Sequence, residues 1–232
     1  MASRAKLIAI EGIDGAGKRT QIDLLSRALS ERGVAHVRMG FPRYESFFGR
    51  LVGKFLNGDF GALEHVDPHF SALLYAGDRL EAKPELQAAL SAGQTVVTDR
   101  YIASNLAHQT ARVAAAQREE FLAWLRHLEY GIYGLPEEDV VVYLRLPAHV
   151  AHQMVAKKEA RDYTRLQRDL LESSVKHLEQ AAQVYDRLAQ LPNWVTVECF
   201  NESTDTLRAP QEIHRDVFAA VEARVLHSAR MP

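Results

Sequence analysis

Short, mostly apolar and β-branched runs alternate along this chain with longer segments in which apolar residues recur every three or four positions. The runs are Leu7–Ile10, Ala35–Phe41, Thr95–Thr98, Val140–Leu146 and Trp194–Cys199. Runs that lack a strict polar alternation predict strands covered on both faces. The helical spacing predicts helices over Arg19–Arg32 and Pro68–Ser91, followed by Gly33 and Gly93, and over Gln117–Tyr130, Arg168–Leu191 and Gln211–Leu226. Such strands separated by helices imply βαβ crossovers that place helices on the faces, so the expected fold is a doubly wound α/β domain: a five-stranded parallel sheet with helices on both faces. No repeat, low-complexity tract or Pro/Gly/Ser-rich linker breaks the chain, and residues 1–232 read as one domain.

Charge narrows the function classes. The 28 basic and 30 acidic side chains leave a formal charge of −2, which excludes a protein that coats nucleic acid through a polycationic surface. The single cysteine, Cys199, excludes an intramolecular disulfide and reads as a small buried hydrophobe. No apolar run approaches the ~18 residues of a spanning helix, and Met1–Lys6 holds no signal-peptide core, so a cytoplasmic protein is expected.

The densest chemistry follows the first strand, where Glu11-Gly12-Ile13-Asp14-Gly15-Ala16-Gly17-Lys18-Arg19-Thr20-Gln21 leads into a helix. Glycines let backbone N–H groups converge on phosphate oxygens, a helix N-terminus favours the anion, and Lys18 is positioned to reach the β- and γ-phosphates. The usual Ser or Thr after that lysine, a Mg²⁺ ligand, is replaced by Arg19. Thr20 remains for an inner phosphate, with Asp14, Glu11 or Asp99 as candidate carboxylates for the metal.

This loop, together with Phe41-Pro42-Arg43-Tyr44 and Asp99-Arg100-Tyr101-Ile102-Ala103-Ser104-Asn105, resembles the thymidylate kinase family of P-loop nucleoside monophosphate kinases over roughly residues 6–190. Some bacterial members share the Gly-Lys-Arg-Thr sequence. The resemblance implies transfer of the ATP γ-phosphoryl group to dTMP, Mg²⁺ as cofactor, and a homodimer. For ATP it implies Gly12, Ile13, Asp14, Gly15, Ala16, Gly17, Lys18, Arg19 and Thr20. It gives Asp14, Lys18 and Arg100 catalytic roles, with Arg100 and Arg43 as phosphate clamps. Phe41, Tyr44 and Ser104 would border dTMP, Tyr75 would stack on thymine, and Arg79, one turn later, would bond its O4. Asn105 matches a position that bonds the pyrimidine edge, and His108 stands where many members carry a Tyr near C2′ of the sugar.

The basic stretch from Lys157 to Arg165 falls at the family's lid, about residues 154–167. A phosphoryl-transfer enzyme needs cations that close over ATP. The loop position that carries an arginine in some members is Gly15 here, so the lid is expected to supply it, with Arg161 as first candidate and Arg165, also toward ATP, as second. Lys157 and Lys158 would assist. Two alternatives remain open at this point: a kinase for dUMP, UMP or a nucleoside, and a nucleotide-binding regulator without turnover. The candidate dimer surfaces are the helices near Pro68–Ser91 and Ile102–Ala116.

Overall fold

The computed structural model describes residues 5–156, Leu171 and 175–226. Five parallel strands form the central sheet: β1 (Leu7–Glu11), β2 (His36–Gly40), β3 (Thr95–Asp99), β4 (Val140–Arg145) and β5 (Trp194–Glu198), in the order β2-β3-β1-β4-β5. All are parallel, with Ile10 paired to Asp99 and Glu11 to Tyr143. Every residue of β1 and the first five of β4 are buried, which requires cover on both faces.

That cover comes from two groups of helices. α1 (Lys18–Glu31) packs beside α8 (Pro210–Val221), while α3 (Pro68–Ser91) and α7 (Val175–Leu188) each pack against α4 (Ile102–Thr110). The remaining helices are α2 (Phe47–Leu56), α5 (Arg118–Arg126) and α6 (Ala148–Ala156), and a two-stranded antiparallel hairpin joins β6 (Phe200–Asn201) to β7 (Thr206–Leu207). α5 runs on as a π-helical turn over His127–Ile132, and α8 as one over Glu222–Leu226. Among the described residues no helix is long and apolar enough to cross a membrane.

The sequence spacing did not anticipate α2, α6 or the hairpin. α2 exists because Ser46 caps it, its Oγ accepting from Gly49 N at 2.9 Å, and because its apolar face meets α3 in a second core of Val52, Phe55, Leu56 and Leu74. The approach is close: a Cβ on Gly77 of α3 would lie 2.4 Å from the Phe48 ring. Cys199 is buried after β5, and burial pushes its thiol up to about 12, as suits a small hydrophobe.

One expectation about surfaces is corrected. Every residue of α4 is buried inside this chain, so of the candidate surface Ile102–Ala116 only the stretch after it, Arg112–Ala116, stays open to a second copy. Among the described residues, the large apolar side chains left exposed include Phe70, Leu73 and Leu80 on α3 and Phe47 on α2, with Phe60, Ile132 and Leu207 elsewhere.

Candidate active site

The sheet order places the ends of β1 and β3 side by side, with the chain leaving β1 for α1 and leaving β3 for α4. Such a switch point at the carboxyl edge of a parallel sheet is where a crevice opens. The loop after β1 runs Gly12–Gly17, with φ of 142° at Gly12, 94° at Gly15 and 84° at Gly17. A Cβ on Gly12 would lie 2.6 Å from Leu144 O, and one on Gly15 would lie 2.5 Å from Ala151 O of α6. The second distance means that the loop as packed leaves no room for an arginine at position 15. Lys18 opens α1 and its side chain is buried, Nζ donating to Gly12 O at 2.9 Å and Ile13 O at 3.0 Å. Arg19 and Thr20 are exposed on the first turn.

Arg100 follows β3 with φ 65°, a left-handed conformation uncommon outside glycine. Its Nη2 donates to Asp14 Oδ1 at 2.6 Å, and Nη1 donates to Gly12 O at 3.2 Å and Ser104 Oγ at 2.9 Å. Burial opposes the charge of this guanidinium, but Asp14, with Tyr185, Glu11 and Asp99, holds its pKa well above the ordinary value.

Glu11 requires a correction. Its carboxylate is fully buried and accepts from Tyr101 N at 2.6 Å, Ser104 N at 3.3 Å, Ser104 Oγ at 2.6 Å and Tyr185 Oη at 2.8 Å. These bonds occupy both oxygens and satisfy N–H groups at the start of α4, so Glu11 anchors that helix rather than facing a metal ion. Asp14, partly exposed, and Asp99, half-buried at the end of β3, remain as carboxylates for a cation. Among the described residues no group of three His, Cys, Asp or Glu side chains stands close enough to hold a metal.

Beside Arg100 opens a cleft of about 540 Å³. All the expected acceptor residues except Arg43 line it: Asp14 and Arg100, Ser104, Asn105 and His108, and Phe41, Tyr44, Tyr75 and Arg79. Arg43 instead donates through Nε to Asp78 Oδ1 at 3.3 Å and through Nη2 to Asp78 O at 3.2 Å. Asp78, buried, also accepts from Arg43 N and Ser46 Oγ, so Arg43 pins the loop after β2 onto α3.

Three polar residues around the cleft escaped the sequence reading. Glu129, in the π-helical turn after α5, takes Arg79 in a two-pronged pair at 2.5 Å and accepts from Asn105 Nδ2 at 2.7 Å. His177 of α7 lies 3.3 Å from His108, between His177 Nε2 and His108 Nδ1. Gln109 lines the cleft with its Oε1 held by Ser71 Oγ at 2.8 Å and Arg112 Nη1 at 2.8 Å. A signal existed for two of them: Glu129 continues the buried stripe Leu122–Leu125, and His177 starts the stripe Ala181, Val184, Leu188, so each is a polar residue on an apolar helix face. Lys157, Lys158, Arg161 and Arg165 lie outside the described residues, as does most of the expected lid.

A family model described as thymidylate kinase matches residues 10–210. A thymidylate kinase of Mycobacterium tuberculosis is 35% identical over 184 residues, spanning 79% of this chain and 85% of that protein. The thymidylate kinase of Homo sapiens is 28% identical over 234 residues, spanning 100% of this chain and 96% of that one. Among solved structures, a thymidylate kinase from Candida albicans superimposes with a TM-score of 0.74 over 96% of this chain and 93% of its own, at 21% identity, a likeness of fold. Phosphate loop, cleft and family match agree along the chain, which belongs to the thymidylate kinase family.

Proposed function

We propose that the protein is an ATP-dependent dTMP kinase, moving the γ-phosphoryl group of ATP to dTMP to give dTDP and ADP. The observation that carries this reading is Arg100, paired with Asp14 behind the phosphate loop and lining a cleft that also carries Tyr75, Arg79 and Asn105. A monophosphate held by Arg100 and a pyrimidine against Tyr75 account for both the charge and the apolar lining.

Lys18 would exchange its bonds to the loop carbonyls for the β- and γ-phosphate oxygens when ATP enters, with the backbone of Gly12–Thr20 cradling the phosphates. Asp14 and Asp99 offer hard oxygen donors, and two carboxylates suit Mg²⁺, which keeps several waters and binds phosphate oxygens. When bound, Mg²⁺ supplies positive charge that neutralises those oxygens. Arg161, or else Arg165, is our candidate for the remaining cation at the transferred group, a role that the crowding at Gly15 argues against filling from the loop. An oxygen of the acceptor phosphate, already anionic, attacks in line. Catalysis then rests on positioning and charge rather than on a strong base. Residues 154–167 would act as the lid over ATP.

A homodimer built on the exposed Phe70, Leu73 and Leu80 of α3 belongs to the same reading, and light scattering at micromolar concentration tests it. The function itself is tested by coupled ADP release with ATP and Mg²⁺, offering dTMP, dUMP, UMP, CMP, AMP and thymidine in parallel. A clear preference for dTMP is expected. Faster turnover of another acceptor would reassign the substrate, and ATP binding without turnover of any would leave a nucleotide-binding regulator.

A further inference from the structure

Asn105 is buried and lines the cleft, and its amide orientation is fixed by its neighbours. Nδ2 lies 3.0 Å from Ala72 O and 2.7 Å from Glu129 Oε1. Both neighbours are acceptors only, so both amide hydrogens are committed and the oxygen cannot take the nitrogen's place. Asn105 Oδ1 is thereby left as a buried acceptor with no partner among the described residues. A buried, unpartnered acceptor in a cleft calls for a donor from whatever fills it.

Arg79 is oriented by the same carboxylate. Its Nε and Nη2 are taken up by Glu129 at 2.5 Å each, and Nη1 is the nitrogen left, with one long contact of 3.5 Å to Tyr101 O. The guanidinium has no acceptor atom, so toward the cleft it presents only donors. Glu129 thus accepts three hydrogen bonds with its side chain fully buried, and each bond turns a base-facing group to one polarity.

We propose that Glu129 sets the hydrogen-bond polarity of this cleft, fixing one donor edge and one acceptor so that it takes keto-imide pyrimidines and rejects aminopyrimidines. Thymine and uracil offer a C4 carbonyl to the Arg79 donor and an N3–H to the Asn105 acceptor. Cytosine offers an amino group and a bare N3, setting donor against donor and acceptor against acceptor. Glu129 is a positioning residue, since it touches Arg79 and Asn105 rather than the base. The inference rests on the pyrimidine site proposed above and adds the residue that orients it.

The test uses the intact protein and its Glu129→Gln variant, with dTMP and dCMP as acceptors, reading turnover and, by calorimetry, binding. A glutamine has one acceptor oxygen where the carboxylate has two: at the Oε1 position it keeps Asn105 and Arg79 Nη2 but turns its NH2 on Arg79 Nε, and at the Oε2 position it keeps Nε alone, so the two-pronged hold on Arg79 is lost either way. The expected result is a dTMP-to-dCMP ratio of kcat/KM at least about tenfold lower in the variant. The change should come mainly through KM for dTMP, with KM for ATP unaltered. A ratio unchanged in a variant that folds and turns over would overturn the proposal, because a merely structural role lowers both substrates together. Should the variant not fold, Glu129→Asp replaces it, keeping both oxygens but drawing them back by one methylene: the same fall in the dTMP-to-dCMP ratio is expected, and an unchanged ratio overturns the proposal. Binding of dTMP over dCMP without any phosphoryl transfer would sink the kinase reading and leave the polarity standing. Turnover of dTMP and dCMP alike would do the reverse.

Discussion

Arg100 donates from Nη2 to Asp14 Oδ1 at 2.6 Å, tying the residue after β3 to the phosphate loop after β1. The same guanidinium reaches Gly12 O and Ser104 Oγ, and Ser104 in turn donates to Glu11. A planar fork serves all these directions at once, whereas an ammonium is a single point. Arg100→Lys is therefore expected to keep the charge and lose the alignment, lowering kcat/KM for dTMP by about 100- to 1,000-fold, with KM for ATP nearly unchanged. Steady-state kinetics on the two enzymes decide it, and a loss under about tenfold would remove Arg100 from the clamp.

Two loop glycines should respond differently to alanine. Gly15 and Gly17 both have positive φ, but a Cβ at Gly17 meets nothing within 4 Å, whereas one at Gly15 meets Ala151 O at 2.5 Å. Gly17→Ala should cost only the conformational term, about 1–2 kcal/mol. Gly15→Ala adds displacement of the α6 backbone, roughly a further 1–3 kcal/mol. Denaturant unfolding of both variants compares them directly, and equal losses would mean that α6 does not rest on the loop.

The five strands of the central sheet were legible because an apolar run flanked by helical periodicity leaves few alternatives. α2 was not, since Gly49 and Gly53 weaken its intrinsic helicity and its stability comes from packing on α3, a tertiary effect. At the site, Asp14, Lys18 and Arg100 were found by motif and lie together, the last two also sharing Gly12 O as an acceptor. The motif could not show that Arg43 rests on Asp78, which lies 35 positions away on α3. Glu129 is 50 positions from Arg79, and only the fold reveals that the two meet.

The His108–His177 pair predicts an acid-sensitive fold. Burial, then the charge of Arg112, with Asp14 opposing, brings His177 down to about 4, and burial, then Arg100, holds His108 well below its usual value. Between about pH 6.5 and 4 the unfolded chain binds a proton at His177 that the folded chain refuses, so stability is full above that window and falls as pH drops through it. The shift corresponds to roughly 3 kcal/mol for His177. His177→Gln should flatten this limb in urea unfolding measured from pH 7 to 4. An unchanged slope would mean that other groups set it.

Glu138 should act in the opposite sense. Its side chain is buried before β4, Oε2 accepting from Tyr130 Oη at 2.7 Å, while Oε1 has no partner among the described residues. Burial raises its pKa from 4.5 to about 7, with Tyr130 opposing and the charges of Glu11 and Glu129 adding to the rise. The unfolded chain ionises this carboxyl near 4.5 and the folded chain only near 7, so its contribution is complete below about 4.5 and is lost as pH rises to about 7, by roughly 3 kcal/mol. Glu138→Gln keeps an oxygen for Tyr130 and cannot ionise. The variant should therefore match the wild type near pH 4.5 and exceed it in stability at pH 8, a difference that excludes the histidine contribution because both proteins share it. Parallel unfolding curves at pH 4.5, 6 and 8 measure that difference, and a gap that does not widen with pH would show that Glu138 is ionised in the folded protein throughout.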